Sequence, residues 1–135
     1  MKQRIVLAFL LMVINLVAIG QNQPEMSRQV QVMSYNVRHC AGMDWVVDYD
    51  RTAAVIAEQQ PDVVALQELD SMTGRSGQHD QLGELAVRTQ YYPVFGGAID
   101  FDGGKYGVGI LTREQPLSAK RIPLPGEEPR VLLVV

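Results

Sequence analysis

Residues 30–37 read VQVMSYNV, residues 50–59 read DRTAAVIAEQ, and residues 62–69 read DVVALQEL. In the first stretch Val30, Val32 and Ser34 share one face and Met33, Tyr35 and Val37 the other, the alternation of a strand. In the second, Ala53, Ile56 and Ala57 fall on one side with Tyr49 just ahead of them, which is helical spacing. Asp48 or Asp50 caps that helix and Pro61 stops it. The third stretch opens with four apolar residues in a row, the signature of an interior strand covered on both faces. Strand, helix and buried strand make a βαβ unit, whose crossover sets the two strands parallel.

Beyond this unit, residues 70–80 form a polar loop with Gly74 and Gly77. Residues 81–90 predict a second helix with Leu82, Leu85, Ala86 and Thr89 on one face. Residues 91–95 predict a short strand, which Pro93 confines to an edge or a strand start. Asp102-Gly103-Gly104 reads as a hairpin turn into a strand over residues 106–112. Pro123, Pro125, Gly126 and Pro129 punctuate a loop, and residues 131–135 (VLLVV) predict a final strand. The chain stops inside that apolar run, so the expectation is a fragment whose domain continues beyond Val135.

At the other end, Lys2 and Arg4 precede an apolar run over residues 5–14 that Asn15 interrupts. A charged start, a short apolar core and the small residues Ala18 and Gly20 predict a signal peptide over residues 1–20, hence export to the periplasm or medium. The run is short for a spanning helix, so no stable membrane anchor is expected. Residues 21–29 (QNQPEMSRQ) read as a linker, leaving residues 30–135 as one domain.

The 135 residues carry a net charge of −3, and loss of Lys2 and Arg4 with the signal peptide makes it −5. That balance disfavours a charge-driven nucleic-acid binder, which needs a cationic footprint. With 47% apolar and 20% charged residues the composition is globular. The lone cysteine, Cys40, excludes an intramolecular disulfide and a cysteine zinc site. His39 and Cys40 are adjacent, which suits structural roles better than a nucleophile and its base. Trp45 and Tyr49 read as packing residues.

Two residues carry the chemistry. Glu68 follows the apolar run of the central strand and, by alternation, shares the face of Val64 and Leu66. A carboxylate there needs a cation, a metal or hydrogen bonds, unless it simply reaches water past the strand end. Asn36 ends the first strand as Glu68 ends the second. Parallel neighbours bring both ends to one sheet edge, where open α/β sheets bind ligands. An amide and a carboxylate converging there suit a hard cation and an oxyanion. Mg²⁺ takes oxygen ligands and keeps several waters, so one or two carboxylates suffice.

"VMSYNVRH" followed some thirty residues later by "PDVVALQELD" resembles the opening of the endonuclease/exonuclease/phosphatase superfamily. "GKYGVGILTR" and "EEPRVLLVV" resemble its next strands more weakly. The resemblance covers residues 30–135. It implies a four-layer α/β sandwich, two packed β-sheets with helices outside, of which this chain holds the N-terminal half. It implies Mg²⁺- or Mn²⁺-dependent phosphoester hydrolysis by an activated water, with Glu68 as metal ligand and Asn36 as the catalytic residue that positions phosphate. Substrates of the family include phosphorylated small molecules, lipid head groups and nucleic acids. Arg75, in "TGRSGQHDQ", is either a substrate contact or a solvated loop arginine, and Arg130 either orients site carboxylates or only flanks its strand. The family's later histidine, Asp-x-Asn motif and terminal Asp-His pair have no counterpart in the sequence, and His79-Asp80 has the reverse order. The 135 residues are therefore expected to be inactive alone. The alternative is a non-catalytic secreted binding module or a decayed remnant. Nothing in the sequence sets an oligomeric state.

Overall fold

The computed structural model describes residues 29–135, so the predicted signal peptide and nearly all of the linker lie outside the described residues. The elements run β1 (Val32–Asn36), a three-residue turn (Arg38–Cys40), α1 (Tyr49–Gln59), β2 (Val63–Ser71), α2 (Gln81–Thr89), β3 (Tyr92–Phe101), β4 (Gly104–Thr112), β5 (Lys120–Leu124) and β6 (Arg130–Val134). They form a four-stranded sheet in the order β1-β2-β4-β3 and a two-stranded sheet of β5 and β6.

The βαβ unit folds as its sequence predicts. β1 and β2 are parallel, with Val32 opposite Val63 and Asn36 opposite Gln67. Asp48 is the cap of α1, its carboxylate accepting from the Arg51 amide at 2.8 Å. Gln60 takes a left-handed conformation (φ 48°) that ends the helix, one residue before Pro61. β2 lies between β1 and β4, which explains its unbroken apolar start.

Both α-helices pack on one face of the larger sheet. Ile56 from α1 and Leu82 and Leu85 from α2 meet Val64, Leu66, Leu69 and Leu111 of the strands, all essentially without solvent exposure. Each such side chain contributes on the order of 1.5–3 kcal/mol. The β5–β6 hairpin covers the opposite face. A Cβ on Gly109 would run into Leu69 and Leu82, whereas one on Gly96 would touch Val108 and Leu133 of β6. Sheet, second sheet and one helical layer thus stack as in an α/β sandwich.

Three local expectations are corrected. Residues 91–95 are only the start of β3, which runs on to Phe101 and turns through Asp102 and Gly103, both at positive φ, into β4. That is the two-residue hairpin whose twist suits paired strands. Pro123 lies within β5 rather than in a loop. In a two-stranded ribbon each strand is an edge, so proline's missing donor costs no ladder bond on the open side. The loop predicted from Asp70 begins two residues later, because β2 carries Asp70, fully buried, and Ser71.

Candidate functional site

The C-terminal end of β1 meets β2 at Gln67 and Glu68, and β2 runs on to Ser71, so Glu68 lies within its strand rather than ending it. The Asn36 amide Nδ2 donates to Glu68 Oε1 at 2.7 Å. Asn36 Oδ1 accepts the Arg38 backbone N–H at 3.0 Å, so both ends of the amide are held. The second carboxylate oxygen of Glu68 accepts no hydrogen bond among the described residues.

Glu68 reaches this position through a break in its strand. Leu66 pairs with Gly109 and Leu69 with Gly107, so Gln67 and Glu68 together oppose Val108. Glu68 itself has φ 61°. Such a bulge re-aims a side chain, and a left-handed non-glycine residue carries a conformational cost. The face expected for Glu68 is therefore wrong. Val64, Leu66 and Leu69 enter the core, while Glu68 lines a cleft of about 480 Å³ between the sheets.

Asn36, Glu68, Tyr106 and Arg130 line that cleft together. Arg130 arrives from the second sheet and pairs with Glu128, also a cleft residue. The Tyr106 phenol is held above its ordinary pKa by burial and by the charge of Glu68, so it stands in the cleft as a neutral hydroxyl.

Arg75 does not line the cleft, and although its side chain is partly exposed it is anchored rather than free. Its Nε and Nη2 grip the two oxygens of the buried Asp70 carboxylate at 2.6 and 2.8 Å. Its guanidinium carbon lies 4.5 Å from the Phe101 ring centroid and 5.6 Å from that of Tyr106. Burial raises the Asp70 pKa, but hydrogen bonds from Arg75 and Thr73 outweigh it and hold the carboxyl below its usual range. Asp70 and Arg75 thus brace the wall of the cleft that carries Tyr106.

Gln81, fully buried, was not visible as a site residue. It accepts from the Asp70 amide at 3.0 Å and donates to the His39 carbonyl at 2.8 Å, tying the segment after Glu68 to the segment after Asn36. No periodicity marks a buried glutamine at a helix start. Cys40 is 2% exposed and burial pushes its thiol up to about 12, in keeping with a structural role. The His39 pKa is lowered by burial and by Arg75, which favours the neutral ring. Trp45 is not a packing residue: it is 72% exposed, with the Arg38 guanidinium 3.9 Å from its ring centroid.

The model of the endonuclease/exonuclease/phosphatase family matches residues 33–134. The chain belongs to this family. Its members are hydrolases acting on phosphoesters, and they generally depend on a divalent metal. Among solved structures, the chain is similar to an endonuclease/exonuclease/phosphatase from Beutenbergia cavernae DSM 12333, at 27% identity and a TM-score of 0.64 over 77% of this chain and 33% of that one. Two more distant likenesses, both at 20% identity, support the fold. One is an endonuclease/exonuclease/phosphatase family protein from Leptotrichia buccalis C-1013-b, with a TM-score of 0.60 over 78% of this chain and 48% of that one. The other is a functionally unknown conserved protein from Enterococcus faecalis V583, with a TM-score of 0.54 over 75% and 39%. The chain spans between a third and a half of the length of these structures. Among curated proteins, none matches it.

Proposed function

We propose that these residues form the metal-binding part of an exported, Mg²⁺- or Mn²⁺-dependent phosphoesterase, with Glu68 as the metal ligand. The observation that carries this reading is the 2.7 Å bond from Asn36 to Glu68 at the mouth of a cleft that also holds Arg130. The donor set fits a hard cation. Among the described residues no group of three or more His, Cys, Asp or Glu side chains converges, which disfavours a closed all-protein site. A single carboxylate with one oxygen held by an amide and the other open matches Mg²⁺, which retains waters and takes substrate phosphate oxygens. The ion would supply charge neutralisation at the phosphoryl group.

The chain's own residues do the positioning. Asn36 fixes the Glu68 carboxylate and presents its amide beside the phosphate. Arg130 offers a guanidinium to a phosphate oxygen from the facing sheet, at the expense of its pairing with Glu128. Among the described residues no histidine lines the cleft. Turnover is accordingly assigned to a longer chain, with residues 21–135 binding metal but not turning over. The substrate is a phosphorylated small molecule, a lipid head group or a nucleic acid, the acidic charge favouring the first two.

Mn²⁺ titration followed by electron paramagnetic resonance tests the reading. Glu68→Gln should weaken binding at least tenfold, about 1.4 kcal/mol, without shifting the melting temperature downward. Equal Mn²⁺ affinity in the two proteins would favour the non-catalytic binding module. Export is tested by sequencing the N-terminus of protein recovered outside the cytoplasm, expected to begin at Gln21.

A further inference from the structure

The "NVRH" part of the motif around Asn36 contains an arginine that the cleft does not use. Among the described residues Arg51, Arg75, Arg88, Arg113 and Arg130 each meet a carboxylate. Arg121 donates to the Gly97 carbonyl. The Arg38 guanidinium meets neither. Its guanidinium carbon lies over the Trp45 ring, 3.9 Å from the centroid, and its Nη1 donates to the Met43 sulfur at 3.8 Å. The acids of its loop are committed elsewhere. Both oxygens of Asp44 take Arg51, at 3.0 and 3.2 Å, and Asp48 caps α1. A guanidinium held over an aromatic ring, with no carboxylate or carbonyl on it among the described residues, keeps N–H donors available for phosphate oxygens.

The backbone supports a built arrangement. Arg38, His39 and Cys40 all have positive φ (47°, 46° and 59°), as does Trp45 (64°). Each costs on the order of 1 kcal/mol or more and persists only where the surroundings enforce it. The enforcing contacts are the buried Val37 and Cys40 and the Gln81 bond to the His39 carbonyl. Met43 and Trp45, which touch the guanidinium, and Val46 in the same loop stand exposed.

We propose that Arg38 on its Trp45 shelf is a phosphate-binding subsite beside the cleft, separate from the position over Glu68. It rests on the phosphoesterase reading only in assigning the bound phosphate to a second part of the substrate. That phosphate belongs either to a soluble ester or to a lipid head group, and the exposed Met43, Trp45 and Val46 would face the apolar zone in the second case.

Trp45 is the only tryptophan in the chain, so its emission reports on this site alone. The metal-free protein is titrated with inorganic phosphate at constant ionic strength. In separate arms it meets phosphatidylcholine vesicles with and without phosphatidylglycerol. Inorganic phosphate should change Trp45 emission saturably. Arg38→Ala should abolish the change, and Arg38→Lys should weaken it severalfold with circular dichroism unchanged. A blue shift with the anionic vesicles, absent with pure phosphatidylcholine, assigns the head group; a response to inorganic phosphate alone assigns a soluble ester. Absence of any Arg38-dependent response in both arms, or an equal response in Arg38→Ala, overturns the proposal. Glu68→Gln should lose Mn²⁺ affinity and keep the phosphate response, so either reading can fail alone.

Discussion

Replacing Arg75 by methionine isolates the buried ion pair behind the cleft. The Asp70 side chain has no solvent exposure, while that of Arg75 is 37% exposed. Breaking a fully buried pair by removing one partner costs about 3–5 kcal/mol, and an exposed pair is worth about 0–1. Asp70 would lose the 2.6 and 2.8 Å bonds from Arg75 and keep the 2.9 Å bond from Thr73. The half-open arginine and the surviving hydroxyl place the expected loss at roughly 2–3 kcal/mol at neutral pH. Methionine keeps an apolar stem over Phe101, so packing changes little. In urea melts the loss should depend on pH with a definite sign. The native Asp70 pKa is depressed, so its contribution is present above the unfolded value of about 3.9 and lost as pH falls through the native value. In the variant, burial acts with less opposition and the carboxyl rises, so acidification favours the variant's native state. The two stabilities should therefore converge below about pH 4. Adding Asp70→Asn to Arg75→Met should recover at least about 1 kcal/mol at neutral pH by removing the stranded charge. A loss under 1 kcal/mol that is flat between neutral pH and pH 3 would show that the pair does not brace the strand end.

Three further outcomes follow from the packing. Gly109→Ala puts a Cβ 2.6 Å from a Leu69 methyl, and Gly107→Ala puts one 2.1 Å from the Gly96 carbonyl oxygen. Side-chain ends yield and backbone does not, so denaturant melts should show Gly109→Ala losing about 1–3 kcal/mol and Gly107→Ala losing more. Cys40, 2% exposed with its thiol pushed up to about 12, should resist a thiol reagent at neutral pH until denaturant opens the fold; rapid labelling of native protein would refute its burial. Asp48→Ala should cost about 1 kcal/mol in a thermal melt, and Asp48→Asn only a fraction of that, since either native or asparagine oxygen can accept the Arg51 amide.

Much of this fold is written in local pattern. The β1–α1–β2 unit follows from period-two and period-3.6 spacing, an aspartate cap and a proline stop, all decided within a few residues. β3 is harder to read because Gly96 and Gly97 interrupt its pattern. The close approach that does demand a glycine lies on the partner strand, where a Cβ on Gly107 would meet the Gly96 carbonyl oxygen at 2.1 Å, a contact no local pattern shows. The same limit hides the ion pair of Asp70 and Arg75. A polar residue after a strand reads as loop unless the arginine that satisfies it is known.

The site divides along the same line. Asn36 and Glu68 converge for a reason the sequence contains in part: the parallel register sets Asn36 opposite Gln67, although β2 itself continues to Ser71. Arg130 joins them only because the second sheet folds over Val108 and Gly96, a packing event with no local signature. The bulge is the more instructive case. Strict alternation places Glu68 with Val64 and Leu66, in the core, where its charge would be uncompensated. Two residues set against Val108 rotate the carboxylate out of the core, and Leu69 then fills the vacated phase. One left-handed residue thus reconciles an apolar central strand with a charged end. The strain at φ 61° sits on the side chain proposed to hold the metal. Glu68→Gly should accordingly relieve that backbone cost while removing the carboxylate. A protein as stable as the parent, or more so, with Mn²⁺ binding lost would separate the conformational role of this position from its chemical one, whereas a large loss of stability would mean that the bulge depends on the Asn36 bond rather than imposing it.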